Sequence, residues 1–152
     1  MNIRPGQAKE VLTFQQLNQA VFVDNYQYDD DLDLNWALSV NGKKYFAERL
    51  TNPKACCLLA EEHGIPIGYI VAAPKEVEYV KSKYFEVENM GVIPEYRSKG
   101  IGKQLMNQCL SWAKKEGYQR AYVCAYFHNK KAVQFYKDNG FFDIDISLEK
   151  IL

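Results

Sequence analysis

The alternation of apolar and polar side chains is most informative between residues 84 and 117. β-Branched and aromatic residues are frequent from Tyr84 to Ile93, and this predicts a strand that ends at Pro94, because proline cannot donate to a neighbouring strand. After a short loop, apolar residues recur with the 3.6-residue period of a helix, at Ile101, Leu105, Met106, Cys109, Leu110, Trp112 and Ala113. Gly117 is the expected end of that helix. The stretch therefore predicts a strand, a glycine-containing loop and a helix in succession.

Five further elements are predicted before residue 84. The strands are Asn2–Pro5, Ala55–Ala60 and Ile65–Ala73, and the helices run from Gly6 to about Val23 and from Asn41 or Gly42 to Leu50. The last two strands are joined by a turn over Glu61–Gly64 and should form a hairpin. The acidic and aromatic segment Asp24–Asn35 and the charged connection Pro74–Ser82 show no regular period.

Three elements are predicted after Gly117. Arg120–Tyr126 indicates a strand, Asn129 is a good cap for a helix that continues to Asp138, and Phe141–Leu152 indicates a closing strand. Helices and strands therefore alternate along the chain, which is typical of an α/β domain with helices packed on one sheet. Residues 1–152 are expected to form a single domain, since this length buries one adequate core.

Composition narrows the range of functions. The 19 basic and 19 acidic side chains cancel, so no nucleic-acid or membrane surface is indicated. The chain shows no apolar leader and no run of transmembrane length, and a cytoplasmic location is expected. Its four cysteines lack a CxxC spacing and are expected to be buried thiols in a reducing compartment. With only two histidines, no metal site is expected.

The loop before the predicted helix has the character of a phosphate site, since free N–H groups and the helix dipole converge there. A Walker A loop does not fit, because Arg97 replaces its first glycine and Gln104 replaces its hydroxyl residue. A dinucleotide fingerprint starting at Gly100 does not fit either, since its third glycine would be Leu105.

A third kind of loop matches at every fixed position. Arg97-Ser98-Lys99-Gly100-Ile101-Gly102 resembles the Arg/Gln-x-x-Gly-x-Gly/Ala loop of the GCN5-related N-acetyltransferases (GNATs), and Val92–Arg97 resembles that family's usual run-up. A second stretch, Asn129–Phe141, is similar to the family's closing motif Asn-x-x-Ala-x-x-Phe/Leu-Tyr-x-x-x-Gly-Phe. The two motifs occur in the family's order and cover most of residues 84–142. Residues 1–83 resemble the family only in the order of elements.

The resemblance implies the GNAT fold, with a mixed sheet of six to seven strands flanked by four helices and splayed at the acetyl-CoA site. It also implies that acetyl-CoA is the co-substrate and that no metal is needed. The residues it assigns to acetyl-CoA are Met90, Gly91, Val92, Arg97, Ser98, Lys99, Gly100, Ile101, Gly102, Lys103, Asn129, Ala132 and Tyr136. Backbone amides would hold the pyrophosphate, and Met90–Val92 would pair with the pantetheine arm as a strand would. Gly91 is a candidate position for a bulge.

The chemistry of acetyl transfer to an amine defines the catalytic candidates. A lysine-like amine has a pKa of about 10.4, so its deprotonation at pH 7 costs roughly 4.6 kcal/mol. Glu88 is the preferred general base and Glu86 the second candidate, since both lie on the central strand. The resemblance to the family implies that Tyr136 is the general acid at the thioester sulfur. Each of these residues also has a structural interpretation. Glu86 and Glu88 could be charged residues on a solvated strand face, and Tyr136 could serve only in packing. Asn129 could serve only as the cap of its helix.

One feature of the sequence indicates where the acetyl acceptor binds, namely the acidic and aromatic residues Tyr26, Tyr28, Asp29, Asp30, Asp31 and Trp36. Carboxylates and aromatic faces suit a cationic amine, whether on a small molecule or a peptide, although an aspartate run is also typical of a solvated loop. A non-catalytic acyl-CoA sensor and an O-acetyl or longer-acyl transferase stay open as alternatives. The family often forms homodimers, but no stretch here identifies an interface.

Overall fold

A computed structural model describes residues 1–152 and places helices on both faces of one twisted sheet. The strands are β1 (Asn2–Pro5), β2 (Cys56–Glu62), β3 (Ile65–Lys75), β4 (Tyr84–Val92) and β5 (Arg120–Val123), and the helices are α1 (Val11–Asn25), α2 (Val40–Thr51), α3 (Ile101–Lys115) and α4 (Lys130–Asp138). None of these helices is both long and apolar enough to cross a membrane.

The sheet contains five strands in chain order, from β1 at one edge to β5 at the other. Neighbours from β1 to β4 are antiparallel, whereas β4 and β5 are parallel and are connected through α3. The expected six to seven strands are therefore wrong in number, although the α/β fold is as predicted. The missing strand is the closing segment 141–152, which has no regular secondary structure and pairs with no strand of its own chain.

Two apolar clusters lie on opposite faces of the sheet. The larger one places Leu105, Met106 and Cys109 of α3 against residues of β2, β3 and β4, and α4 lies at its border. The smaller one joins Phe14 of α1 and Phe46 of α2 to the other face of β2 and β3. Residues Ile67–Ala73 of β3 are buried on both faces, which explains their nearly continuous apolar sequence.

The N-terminus of α2 is set by Ser39 rather than by the predicted Asn41 or Gly42. The Gly42 N–H donates to Ser39 Oγ at 3.1 Å, as in an N-cap. At the far edge of the sheet, β5 ends at Val123 instead of Tyr126, because β4 offers it no partner beyond Val87.

A bulge interrupts β4 at Glu88. Asn89 is opposite Val71 and Val87 is opposite Ala72, so Glu88 is an extra residue without a partner. The predicted bulge at Gly91 is wrong, since Gly91 pairs regularly with Tyr69. A glycine is needed at position 91 for another reason, since a Cβ there would lie 2.5 Å from a methyl of Val21 on α1.

The bulge decides which side chains face which helices. Glu88 and Asn89 both reach α2, where both bond Tyr45, whereas Met90 and Val92 pack against the cluster below α3. Glu86 and Glu88 therefore share a face of β4 with each other but not with Met90 and Val92.

Candidate functional site

The sheet opens between β4 and β5. The two strands pair only from Tyr84 to Val87 and from Arg120 to Val123, so the second half of β4 has no neighbour on this side. On its other side β4 faces β3, and there the Ile93 N–H donates to the Ile67 carbonyl at 2.9 Å. Because antiparallel bonding alternates along a strand, the main-chain groups of Met90 and Val92 point into the opening. This is the place predicted for the pantetheine arm.

The predicted phosphate loop lies at the N-terminus of α3. Ser98 and Gly100 adopt left-handed backbone angles, with φ of 61° and 79°. The N–H groups of Gly100, Ile101, Gly102 and Lys103 donate no hydrogen bond within the chain, and the first helical bond runs from the Gln104 N–H to the Gly100 carbonyl. Successive free amides in this conformation form an anion-binding concavity at the positive end of the helix dipole.

The side chain of Arg97 is used inside the protein. Its Nε donates to the Val92 carbonyl at 2.8 Å, and its Nη2 forms an ion pair with Asp24 at the end of α1. The neighbouring cations Lys99 and Lys103 are exposed, with Lys99 Nζ over the Tyr96 ring. An anion at this loop would therefore be bound mainly by backbone amides, as the glycines imply.

Tyr136 of α4 packs between aromatic rings and keeps a free hydroxyl. Its ring contacts Phe135 and Phe141 edge-on, and its hydroxyl makes no hydrogen bond within the chain. Burial, and after it the nearby Cys124 side chain, raise the pKa of Tyr136 to about 12. The phenol is therefore protonated at neutral pH and can donate a hydrogen bond.

Asn129 caps α4, as its sequence position suggested. Its Oδ1 accepts the N–H of Ala132 at 3.1 Å, and its side-chain NH₂ donates no hydrogen bond within the chain. Phe135 of the same helix and Met90 of β4 both approach Gly102, so that α3, α4 and β4 converge beside the opening. The capping interpretation is confirmed, and a contact with pantetheine through the free NH₂ stays a prediction.

Glu88 is held by two residues of α2. Arg49 donates to both carboxylate oxygens at 2.7 Å, and the Tyr45 hydroxyl donates to Oε2 at 2.5 Å. Burial, followed by the bond to Glu88, raises the pKa of Tyr45 well above its usual value. Asn89 donates to the Tyr45 hydroxyl at 2.9 Å and extends the network along β4. The carboxylate is thereby fixed in one orientation.

Glu86 lies on the same face, closer to β5. Its Oε2 accepts from Lys75 Nζ at the long distance of 3.4 Å, and Tyr122 is its partner on β5. Two residues after Tyr122 and just past the end of β5, the Cys124 thiol lies 3.0 Å from the Tyr122 hydroxyl and is exposed. The expectation of four buried thiols is therefore wrong for Cys124, because this residue follows the end of β5, the edge strand of the sheet.

The acidic segment reaches the opening through Asp29. Its Oδ2 accepts from the Tyr126 hydroxyl at 2.8 Å, and Tyr28 stacks on the Tyr126 ring at 6.2 Å between centroids. The structure therefore brings Tyr28 and Asp29 to the end of β5. Asp30, Asp31 and Tyr26 are exposed, and Trp36 stacks on Phe22 instead.

Four residues of this region were missed by the sequence analysis: Tyr45, Arg49, Cys124 and Tyr126. Tyr45 and Arg49 are four residues apart on a predicted helix and therefore share a face, which was an available signal. Tyr126 gave no signal, since its importance depends on a contact with Asp29, 97 positions away. Cys124 gave none either, because it was expected to be a buried thiol.

The comparisons with known proteins agree with this geometry. A family model described as the acetyltransferase (GNAT) family matches residues 14–141, which is most of the chain. The chain belongs to the GNAT acetyltransferase family. As a GNAT protein it resembles an uncharacterized N-acetyltransferase of Bacillus subtilis (strain 168), with 26% identity over 142 residues, 93% of this chain and 89% of the relative. An uncharacterized N-acetyltransferase of Methanocaldococcus jannaschii is 27% identical over 119 residues, or 78% of this chain. That match covers 49% of the archaeal protein, so the chain spans about half its length.

Solved structures show the same GNAT fold. A mutant of the BH1408 protein from Bacillus halodurans matches with a TM-score of 0.86 at 18% identity, over 100% of this chain and 99% of that chain. An aminoglycoside N-acetyltransferase in complex with CoA matches with a TM-score of 0.75 at 16% identity, over 99% of this chain and 98% of that chain. At these identities the likeness establishes the fold and not the acceptor.

Proposed function

We propose that this GNAT protein transfers an acetyl group from acetyl-CoA to a primary amine, which attacks the thioester directly. One observation supports this most: the opening between β4 and β5 leads to four unpaired N–H groups at the start of α3. An extended chain with a phosphate at one end fits such a path, since the opening offers strand-like pairing and the loop offers donors to an anion. Acetyl-CoA supplies the activated acetyl group when bound.

The residues assigned to acetyl-CoA divide into two sets along this path. The backbone of Arg97–Lys103 binds the pyrophosphate, with the glycines allowing close approach. The main chain of Met90–Val92 pairs with the pantetheine arm, and the Asn129 NH₂ beside Ala132 adds a side-chain donor. Tyr136 lies at the far end of α4's first two turns, where its protonated hydroxyl donates to the departing sulfur.

Removal of the amine proton is assigned to Glu88, acting through a water. A carboxylate has about four lone-pair positions, and the hydrogen bonds from Arg49 and Tyr45 occupy three of them. The fourth, on Oε1, is left for a water that passes on the proton. Glu86 is the second candidate, because its carboxylate has a single long bond to Lys75.

The acceptor is proposed to be a small cationic amine that enters beside the acidic segment. Tyr28 and Asp29 already line the end of β5, and the exposed Asp30 and Asp31 add negative charge nearby. Among the fold neighbours, an aminoglycoside acetyltransferase from a soil metagenome was solved in complex with sisomicin. That neighbour supports a small-molecule amine as the acceptor. A basic peptide terminus is the second kind of amine that the acidic segment suits.

The test is acetylation of a mixed panel of polyamines, amino sugars, amino acids and peptides, read by mass spectrometry. Acetyl-CoA binding is measured separately by calorimetry. Enzyme-dependent addition of an acetyl group to one amine class supports the proposal and identifies the acceptor. Binding without any acetylated product would instead favour the acyl-CoA sensor, and acetylated hydroxyl groups would favour an O-acetyltransferase. Failure to bind acetyl-CoA would overturn the proposed N-acetyltransferase and also the O-acetyltransferase.

A further inference from the structure

A side-chain ammonium group of the chain itself lies in a cradle beside the site. Lys75, at the end of β3, reaches across β4 and places its Nζ 4.3 Å from the centre of the Tyr122 ring on β5. The same Nζ lies 3.4 Å from Glu86 Oε2 on the strand between them. A carboxylate beside an aromatic face is a combination that suits an ammonium group. The cradle formed by Glu86 and Tyr122 therefore has the chemistry of a cation site, and Lys75 occupies it.

The cradle shares a face of the sheet with Glu88. Glu86 pairs with Tyr122 on β5 and precedes Glu88 by two residues on β4. Since a strand rises about 3.3 Å per residue, the Cα atoms of the two glutamates are roughly 7 Å apart. Tyr45 and Arg49 of α2 bond Glu88, whereas the only side-chain hydrogen bond of Glu86 is the one with Lys75. An amine beside Glu88 thus has a second carboxylate within reach along the strand.

The surroundings of the Tyr122 ring favour a cation over an anion. The pKa of Tyr122 is raised first by its hydrogen bond with Cys124 and by burial, and also by the carboxylates of Asp145 and Glu86. Two carboxylates therefore lie near the ring, and both attract an ammonium group placed there. A carboxylate at the same place would meet like charges, which disfavours amino acids as acceptors.

Lys75 is held weakly enough to be displaced. Its 3.4 Å distance to Glu86 is longer than that of a strong charged hydrogen bond, and the side chains of Lys75 and Glu86 are 30% and 27% exposed. Arg49, by contrast, donates to both oxygens of Glu88 at 2.7 Å. Water and salt screen a pair as exposed as that of Lys75. A ligand ammonium whose other end is already bound competes with Lys75 at a high effective concentration.

We propose that the acceptor is a diamine with two primary amino groups about 7 Å apart, the span of about four or five methylenes. This inference rests on the proposed function and narrows its acceptor. One amino group attacks beside Glu88, while the other, as an ammonium, replaces Lys75 between Glu86 and the Tyr122 ring. The attacking nitrogen bonds the acetyl carbon and the carbon–sulfur bond breaks. The proton that the amine loses balances the proton that the sulfur gains as CoA leaves as a thiol.

The first experiment compares diamines with monoamines of equal length. The kcat/KM values are measured at saturating acetyl-CoA for α,ω-diaminoalkanes of three to seven carbons and for the matching n-alkylamines, and each diamine value is halved for its two equal amino groups. We expect the diamine advantage, meaning the ratio of these two values, to peak at four or five carbons and to reach about ten-fold.

Two results of this comparison would overturn the diamine proposal while acetyl transfer to amines stands. One is equal values for diamines and monoamines, and the other is an advantage that rises steadily with chain length. If no amine of either series is acetylated, the proposed function and the diamine proposal both fail.

The second experiment uses two variants with opposite expected effects. Lys75→Met removes the competing ammonium and should increase the diamine advantage about three-fold, whereas Tyr122→Leu removes the aromatic face and should abolish most of it. Lys81→Met is the matched control, because it removes the same charge from an exposed residue between β3 and β4 and should leave the advantage unchanged. A folding defect cannot produce the increase expected for Lys75→Met. A decrease in that variant, or an equal increase in Lys81→Met, would overturn the proposal.

A binding measurement removes any dependence on turnover. Calorimetry with the CoA complex, which has no acetyl group to transfer, gives the Kd of pentane-1,5-diamine and of pentylamine. The diamine should bind about ten-fold more tightly, and Lys75→Met should tighten the diamine more than the monoamine. Equal Kd values for the two amines would overturn the proposal.

Discussion

The loop Arg97–Lys103 and the segment Asp24–Asp31 both border the opening and are joined by the ion pair of Arg97 with Asp24, but they are built in different ways. The loop presents backbone N–H groups, and its side chains either face solvent or, like Arg97, bind other parts of the protein. The segment presents side chains, namely the carboxylate of Asp29 and the ring of Tyr28. A site built from backbone constrains the sequence locally through glycines and left-handed residues, whereas a site built from side chains depends on distant contacts.

This difference makes the two sides of the opening separable by mutation. Changes in the loop should act on acetyl-CoA alone, and changes on the acceptor side should act on the amine or its proton. Four variants test that separation, beginning with the largest expected effect.

Glu88→Gln should lower kcat by about 100-fold, at the lower end of the range for loss of a general base. The amide keeps the size of the side chain and still accepts from Arg49, so the KM for acetyl-CoA should stay unchanged. Steady-state kinetics with both substrates provide the measurement. Glu86→Gln is the matched control on the same strand and should have a much smaller effect. If the two variants exchange their behaviour, the base is Glu86.

Gly100→Ala should raise the KM for acetyl-CoA by about ten-fold, equivalent to roughly 1.4 kcal/mol. At φ 79° a Cβ is strained, and relief of that strain shifts the amides of the loop. Gly117→Ala is the matched control, because Gly117 lies at the other end of α3 with φ 88° and equally open space. Both variants should lose similar thermal stability, whereas only Gly100→Ala should bind acetyl-CoA more weakly. If Gly100→Ala and Gly117→Ala have the same KM for acetyl-CoA, the loop does not bind the pyrophosphate.

Tyr136→Phe should lower kcat by about ten-fold, because the departing sulfur loses its hydrogen-bond donor. Since the pKa of Tyr136 is raised to about 12, the hydroxyl is protonated from acidic to mildly alkaline pH. The ratio of kcat for the unaltered enzyme to kcat for Tyr136→Phe should therefore be constant across that range of pH. Tyr118→Phe, on a tyrosine that packs against Phe85 far from the loop, is the control. A ratio that changes with pH in this range would mean that Tyr136 itself titrates during turnover.

Neutralising Asp30 and Asp31 together as asparagines should raise the acceptor KM about three-fold, since exposed charges contribute less than about 1 kcal/mol each. The KM for acetyl-CoA should not change. Glu76→Gln with Glu78→Gln removes the same charge from two exposed residues that follow β3. If both pairs of substitutions have equal effects on the acceptor KM, the aspartates act only through net charge.

The sequence predicted the fold and the loop because both depend on local patterns. The strand before Pro94, the glycines of the loop and the period of α3 lie within 34 consecutive residues, and the structure places them as predicted. The Glu88 network could not be predicted, because it joins Arg49 to a residue 39 positions away through a bulge that alternation alone does not reveal. The closing strand was predicted from a valid pattern, but a strand also needs a neighbour, and its own chain provides none.

The bulge at Glu88 has a consequence for how this chain can change in length. Substitutions within β4 alter one side chain at a time, but loss of one residue between Val87 and Met90 would restore strict alternation. Met90 and Val92 would keep their places against the cluster below α3, but a single residue would then replace Glu88 and Asn89, which both bond Tyr45 of α2. Relatives that keep this chemistry should therefore vary in length almost anywhere except across these few residues.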